Sequence, residues 1–367
     1  SATADRSPTT DNLIYDLIVA PINFAEDVLT VSERRLLFEY WIYALFFRDI
    51  LPTMPICAFI GEKDSGKSTA IKQVGLLLEG CEYQLTQMPE KSEDFDAIVT
   101  NHAFVAIDNA DSKRDWLNDR LAVLATGGSI EKRTLYTTNE ITKIKLQTSL
   151  AITSRTPKFG RTDVADRLLL LKVNPLEKKI SAEEMQQSIL SQRDLIWNSL
   201  IEKLKDIVND IFLTRDLKIT HTARMMDFAR FMLRIGHQHK IESEIDDLLK
   251  KLSRETGNFA LEGNFLYQIF CEWYEDGHRN TEITGPELLE KFQEIAKRRN
   301  IKFSMSPGQF RVAFKILRTD LKNEFEITEK IRHGNTKFYA FRKLALGENP
   351  PGENPPEPKN ETGQIPF

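Results

Sequence analysis

The sequence predicts an α/β protein: a largely parallel sheet in its first half, a helical middle, and a small C-terminal unit of two helices and two strands. Three observations carry this reading. Residues 55–171 alternate short apolar runs with helical stretches, the pattern of strands joined by crossover helices. Residues 181–299 keep a helical period almost throughout. The length, 367 residues, exceeds what one hydrophobic core usually organises, so two or three units are expected.

Composition sets outer bounds. With 41% hydrophobic and 28% charged residues the chain is neither collagen-like nor wholly disordered. The densest apolar patch, residues 36–47, is broken by Glu39 and closed by Arg48 and Asp49, so no membrane span is expected. Cys57, Cys81 and Cys271 lie far apart with no CxxC pair, which argues against a disulfide framework or a zinc site. That cysteine usage and a polar N-terminus without signal-peptide layout suit the cytoplasm of a bacterial, archaeal or phage-infected cell.

Along the chain, the first dozen residues are polar and read as disordered, and that end could be a cut point within a longer polypeptide. Thr30 and Glu33 form a capping-box pattern, predicting a helix from there to about Phe47. Core strands are expected at 56–60, 103–107, 149–153 and 167–173, with helices at 69–78 and 115–124. Ser181 and Glu184 make a second capping-box pattern at the start of the helical section. Near the end, Ser306 and Pro307 start a helix, followed by strands at 325–330 and 337–341 around His333, Gly334 and Asn335. Beyond Leu346 a duplicated Gly-Glu-Asn-Pro-Pro stretch is too proline-rich for a helix or a central strand and reads as a flexible tail.

One motif is specific. Gly61-Glu62-Lys63-Asp64-Ser65-Gly66-Lys67-Ser68 matches the phosphate-binding P-loop GxxxxGK[ST], with an apolar strand before it and a helix-forming stretch from Thr69 after it. Glycines let the backbone turn its amides inward around a phosphate, where the helix N-terminus adds a favourable dipole. Gly61, Asp64, Ser65, Gly66, Lys67, Ser68 and Thr69 are the expected nucleotide contacts, with Lys67 on the β- and γ-phosphates and Ser68 on Mg²⁺. Such a site needs a second carboxylate at the end of a neighbouring strand. The run Ala103-Phe104-Val105-Ala106-Ile107-Asp108 supplies it, making Ser68 and Asp108 the expected Mg²⁺ pair.

The order of these motifs resembles that of AAA+ ATPases, and within them the helicase branch. A helix after Asp108 leads to Gly127-Gly128-Ser129-Ile130-Glu131-Lys132-Arg133-Thr134, a polar turn at Thr138-Asn139-Glu140, a strand-like run 141–147, then Leu150-Ala151-Ile152-Thr153-Ser154-Arg155. This is similar to minichromosome maintenance helicases, which place a β-hairpin before the sensor-1 strand. It also resembles the helicase modules of phage, plasmid and mobile-element replication proteins, often joined to primase-polymerases. The resemblance implies a N-terminal lead-in (1–50), an AAA+ P-loop core (51–176), an α-helical lid (177–280), a C-terminal winged-helix domain (281–345) and a tail (346–367).

By position, the resemblance makes Ser154 the sensor-1 group and Arg224, in His221-Thr222-Ala223-Arg224, the sensor-2 arginine. Arg167 and Arg161, with Arg155 a third competitor, stand where an arginine finger would reach a neighbouring subunit's nucleotide; each could equally be a salt bridge to Asp163 or Asp166. Relatives that hydrolyse usually carry Glu after the metal-binding Asp. Here the residue is Asn109, which orients a water but cannot take its proton, and Asp111 is the nearest carboxylate that could substitute.

Basic residues mark where nucleic acid would touch. Lys143 and Lys145 share one face of the predicted hairpin, with Lys132 and Arg133 at its entry; in a ring these would track one strand's phosphates. From Lys291 to Lys343 there are fourteen Lys and Arg against five Asp and Glu, inside a chain whose net charge is −4. Arg311, Lys315, Arg318 and Lys322 form one helical stripe opposite Phe310, Phe314 and Leu317, and Arg332 and Lys337 flank the hairpin turn. Helix, basic helix, hairpin is the layout of a winged-helix domain, which binds phosphates in some proteins and docks other proteins in others. The expected activity is an ATP- and Mg²⁺-dependent helicase, a homo-oligomer expected as a hexamer on single-stranded or forked DNA, with a fused or separate primase-polymerase as an expected partner. Two rivals remain: an ATP-driven signalling or defence switch, which Asn109 favours, and a monomeric P-loop kinase.

Overall fold

The computed structural model describes residues 12–133, 141–157, 159, 161–176, 181–221, 223–301, 303–322, 324–332 and 336–344. The polar N-terminal dozen apart from Asn12, the turn at 138–140, Thr222, the turn at 333–335 and the proline-rich tail lie outside them, as do the side chains of Lys132 and Arg133. The chain forms two units, Ser1–Ala260 and Leu261–Phe367.

In the first unit, helix α1 (Val31–Ala44) starts at the expected capping box: the Glu33 amide donates to the Thr30 hydroxyl at 3.2 Å and the Thr30 amide to the Glu33 carboxylate at 2.8 Å. A short 3₁₀ turn, Leu45–Phe47, extends it to the expected end. From Leu37 on, the helix is buried on all sides, which explains why its sequence lacks a polar stripe. Phe38 meets Phe59 edge-to-face at 5.1 Å between ring centres, and the Trp41 indole donates to the Pro55 carbonyl at 2.9 Å.

The sheet contains β1 (Ile56–Gly61), β2 (Thr86–Gln87), β3 (Phe104–Asp108), β6 (Ser149–Ser154) and β7 (Leu168–Val173), all parallel, in the order β2-β3-β6-β1-β7. Helices cover it: α2 (Lys67–Glu79), α3 (Ser92–Asn101) and α4 (Leu117–Ala125), then the single turn α5 (Thr162–Ala165). The unbroken apolar runs of β1, β6 and β7 follow from burial on both faces. Between β3 and β6 the chain makes an antiparallel hairpin, β4 (Ser129–Arg133) with β5 (Ile141–Lys145), two residues shorter than expected at its far end. The strand order puts the C-terminal ends of β1, β3 and β6 side by side, where the connections leaving the neighbouring strands β1 and β6 run in opposite directions; ligand crevices form there in open parallel sheets.

The helical section is α6 (Ala182–Ser191), α7 (Arg193–Leu213), α8 (Met226–Gln238) and α9 (Glu242–Glu262). Ser181 caps α6 differently from the expected box. Its hydroxyl accepts from the Glu183 amide at 3.2 Å, two residues on, and no reciprocal bond from Glu184 forms. In α8, Phe228 and Met232 are buried, as is Met225 just before it. A buried ion pair joins the unit's two ends: Arg34 of α1 and Glu255 of α9, both fully buried, meet at 2.7 Å. Lys172 at the end of β7 joins them, 3.1 Å from Glu255 and 2.8 Å from Asp27.

The second unit contains α10 (Phe265–Glu275), β8 (Ile283–Thr284), α11 (Gly285–Arg298), α12 (Pro307–Leu321), β9 (Phe325–Arg332) and β10 (Thr336–Lys343). Its sheet is antiparallel in the order β8-β10-β9, and its two long strands run eight residues each, longer than the sequence pattern suggested. Capping boxes start both later helices, Thr284 with Glu287 and Ser306 with Gln309. Phe270, Trp273, Phe292, Leu317 and Phe341 form its core.

Candidate functional site

The P-loop spans the gap between β1 and α2, and its shape depends on two glycines and one aspartate. A side chain at Gly61 would place its first carbon 2.4 Å from the Val173 carbonyl on the neighbouring strand, so only glycine fits. Gly66, the residue before α2, has φ +78°, and Asp64 has φ +64°; both are left-handed conformations, which glycine adopts freely and aspartate tolerates. The Ser65 hydroxyl donates to the Glu62 carbonyl at 2.8 Å and closes the turn.

Lys67 folds back onto this loop. Its ammonium donates to the Gly61 and Glu62 carbonyls, both at 2.7 Å, and to the Ser65 hydroxyl at 3.1 Å. Burial lowers its pKa below the ordinary lysine value, and the negative charges of Asp111, Asp108 and Glu62 offset part of that effect. A cation held this way gives up three neutral acceptors when a stronger anion arrives.

Asp108 ends β3 beside the start of α2. Its Oδ1 accepts from the Ser68 hydroxyl at 2.6 Å and from the Thr153 hydroxyl at 2.6 Å. Thr153 in turn accepts from the Asn109 backbone amide at 3.0 Å, so the carboxylate is held from α2 and β6 at once. Thr153 was not among the expected site residues. β6 is buried along its whole length, so burial alone does not single Thr153 out, and only the pairing of β3 with β6 shows that its hydroxyl meets Asp108. A serine hydroxyl and one carboxylate are hard oxygen donors suited to Mg²⁺, which takes few protein ligands and fills the remainder with water and phosphate. Among the described residues no three His, Cys, Asp or Glu side chains gather to form a different metal site.

Asn109 is exposed, with φ +56°, a left-handed conformation that asparagine accepts better than most residues. Two residues on, Asp111 is anchored through one oxygen, which accepts from the Ser154 hydroxyl, the Arg155 amide at 2.7 Å and the Thr156 amide at 2.9 Å. Burial would raise its pKa, but these hydrogen bonds and the charge of Lys67 outweigh it and hold the carboxyl below its ordinary range. Lys67, Ser68, Asp108, Asn109, Asp111 and Ser154 thus converge at the ends of β1, β3 and β6.

The arginines sort by exposure. Arg155 lies on the rim of this same site, paired with Glu62 at 2.8 Å. Arg161 is 48% exposed and meets Asp163 at 2.5 Å and Asp119 at 2.7 Å. Arg167 is only 13% exposed and donates to the Asp163 backbone carbonyl; burial lowers its pKa. Arg224, half exposed, stands 3.8 Å from Asp166.

The basic residues lie in two places. On the β4 and β5 hairpin, Lys143 and Lys145 are exposed on one face, opposite Glu131 and Ser129, while Ile130 and Ile144 pair on the other. In the second unit Arg311, Lys315 and Lys322 are exposed along α12 with no acidic partner among the described residues. Arg318 and Lys337 share Glu329, at 2.6 and 2.5 Å, and Arg332 shares Glu282 with Lys330. Charge counting along the sequence did not foresee this partial neutralisation.

The model of the replication proteins of actinomycete integrative conjugative elements (AICE RepA) matches residues 21–244, more than half of the chain and all of its sheet. The chain belongs to this family. AICE RepA proteins are replication proteins of a mobile element, which agrees with the expected class of origin. No curated protein matches the chain. Among solved structures it is similar to the apo C-terminal region of NrS-1, with 13% identity, 91% of this chain and 75% of that one covered, and a TM-score of 0.42. It is also similar to Drosophila ORC bound to DNA, with 13% identity, 95% and 93% coverage, and a TM-score of 0.22. Both scores lie below what a shared fold requires. Among the described residues of this RepA-family chain, no helix is long and apolar enough to cross a membrane.

Proposed function

We propose that the protein is an ATP-dependent DNA helicase motor of the AAA+ class, built as a P-loop core, a helical lid and a winged-helix unit, and working as a ring of six copies on single-stranded or forked DNA. The observation that carries the reading is the 2.6 Å bond between Ser68 at the start of α2 and Asp108 at the end of β3. It joins the two oxygen donors that a P-loop ATPase needs on one metal ion, from elements forty residues apart.

When ATP arrives, Lys67 exchanges the Gly61 and Glu62 carbonyls for the β- and γ-phosphates, and the amides of the loop and of α2's first turn face the phosphate oxygens. Ser68 and Asp108 would hold Mg²⁺, which when bound takes up charge building on the transferred phosphoryl group. Thr153 keeps Asp108 aimed at that position. Asp111, fixed through one oxygen by the Ser154 hydroxyl and two backbone amides, orients the attacking water with its other oxygen. With its pKa held down, Asp111 is a weak proton acceptor, so turnover by a single copy is slow. Arg161 is the better-placed finger. Its guanidinium is on the surface and oriented by two carboxylates, whereas that of Arg167 is tied into its own subunit. Arg224 would serve as the sensor of the γ-phosphate. Lys132, Arg133, Lys143 and Lys145 would track a strand in the ring's channel, and Arg311, Lys315, Arg318, Lys322, Arg332 and Lys337 would engage DNA phosphates through the winged helix.

A second reading, an assembly switch with weak hydrolysis, is favoured by Asn109 standing outward where a water-activating glutamate would stand. ATP turnover with and without single-stranded DNA separates the two. The motor is stimulated by DNA; the switch is not. Lys67→Ala should lower turnover at least ~100-fold, the scale of losing one preorganised electrostatic contact. Unchanged turnover in that variant would remove the phosphate-site assignment, and a chain that stays monomeric with ATP and Mg²⁺ would remove the ring.

A further inference from the structure

The register of the second unit's hairpin opens a groove that phosphate binding alone does not need. In the pairing of β9 with β10, Phe325, Ile327, Glu329 and Ile331 share a face with Lys343, Phe341, Tyr339 and Lys337. At its inner end this face is core, with Phe325 and Phe341 buried. Towards the turn it separates from α12 and leaves a cavity of about 530 Å³ between α12, the start of α11 and β10. Tyr339 and Phe314 line it, edge-to-face at 5.4 Å between ring centres, and the Arg318 guanidinium lies over the Tyr339 ring at 4.9 Å. Arg311 and Lys315 stand on its helix side, one helical turn apart, about 6 Å along the axis.

Aromatic rings inside a cationic rim form the chemistry that single-stranded nucleic acid recognises: a base stacks or packs on the rings while flanking phosphates meet the cations. A paired duplex does not fit as well, because its base faces are stacked on one another. Glu329 already occupies Arg318 and Lys337, so the free positive charge is concentrated at Arg311 and Lys315. Resting on the DNA-binding reading above, we infer that this groove holds one unstacked base of single-stranded DNA against Tyr339, which the buried Phe314 backs, with the neighbouring phosphates on Arg311 and Lys315. In a molecule that opens duplex, such a pocket would hold a base freed at the fork and oppose its re-pairing.

The test uses the full chain and two oligonucleotides, a thymidine strand and the same strand with abasic sites, with binding read by anisotropy across a salt series. The wild type should prefer the base-bearing strand by roughly five- to a hundredfold, the range of one base on an aromatic ring. Tyr339→Ala and Tyr339→Leu should both abolish that preference, and Tyr339→Phe should keep it; agreement between the first two guards against a folding defect in either. Arg311→Ala should weaken both strands equally and lower the salt slope by about 0.7, one phosphate contact on a single strand. If Tyr339→Ala and Tyr339→Leu keep the preference, or the wild type shows none while still binding DNA, the pocket is wrong and the DNA reading stands. A chain that binds neither strand overturns both, and points to a protein ligand for this surface.

Discussion

Lys67 and Arg34 in the first unit, and Arg311 and Lys315 in the second, are all cations, but their surroundings differ. Arg34 is fully buried against an equally buried Glu255, and Lys67 lies within hydrogen-bond reach of three loop acceptors. Arg311 and Lys315 stand in solvent along one helix, and the strand cations beside them are shared out to Glu282 and Glu329. A buried charge acts through one geometry and fails when one partner is removed. Exposed charges act as a sum that salt screens and that no single residue dominates. The comparison teaches where single substitutions should matter: in the first unit they should act like switches, and in the second like dials.

The hardest test of the first half is Glu255→Ala. It leaves the Arg34 guanidinium buried without its main counter-charge, a loss of about 3–5 kcal/mol when a buried pair is broken. Asp27 and Lys172 remain nearby, and Lys172 then adds to the unbalanced charge. Unfolding in urea, followed on the first unit's tryptophan signal, should show the midpoint fall sharply. A combined Arg34→Met and Glu255→Leu variant should recover most of the loss, because an apolar pair of similar volume has no charge to desolvate. A shift in Glu255→Ala no larger than that of an exposed pair, under ~1 kcal/mol, would break the comparison on its buried side.

That ion pair was not readable in the sequence, for a physical reason. Arg34 and Glu255 are 221 positions apart, and nothing local in either helix signals the other. What was readable is what local chemistry fixes. The P-loop, the capping box at Thr30, the helix start at Ser306 and Pro307, and an apolar strand ending in Asp108 each follow from a few consecutive residues. At Ser181 the same logic succeeded only in part, since a serine can cap through the second amide as well as the third. Thr153 was missed because its role depends on strand adjacency. The short strand β8 was missed because two residues carry no period. Aromatic lining of the second unit's groove followed only once the hairpin register showed which face Tyr339 shares.

The next test sharpens the contrast inside the proposed nucleotide site. Thr153→Val keeps the side-chain shape and removes the hydroxyl that donates to Asp108 and accepts from the Asn109 amide. Groups that orient a metal ligand from behind typically matter 10–100-fold in metal affinity or activity. A magnesium titration of ATP turnover should therefore need about 10–100-fold more Mg²⁺ for half-maximal rate. Because the hydroxyl acts on Asp108, the proposed metal ligand, the ATP requirement at saturating Mg²⁺ should move far less. An equal rise in both would mean that Thr153 supports the loop as a whole.

The smallest expected effect lies at the exposed end of the comparison. Glu282 accepts from Lys330 at 2.7 Å and also pairs with Arg332, and those bonds lower its carboxyl pKa. Exposed pairs of this kind contribute little to folding, so Glu282→Gln should leave thermal melting unchanged within error. It should still alter DNA binding, because it releases two cations that the folded chain now neutralises. Each added phosphate contact steepens the dependence of log affinity on log salt by about 0.7 on a single strand. Affinity at low salt should rise and the slope grow by one to two such steps, with the advantage fading at high salt. If the slope stays fixed while affinity changes, the strand cations do not meet phosphates, and the second unit's basic surface serves a partner other than DNA.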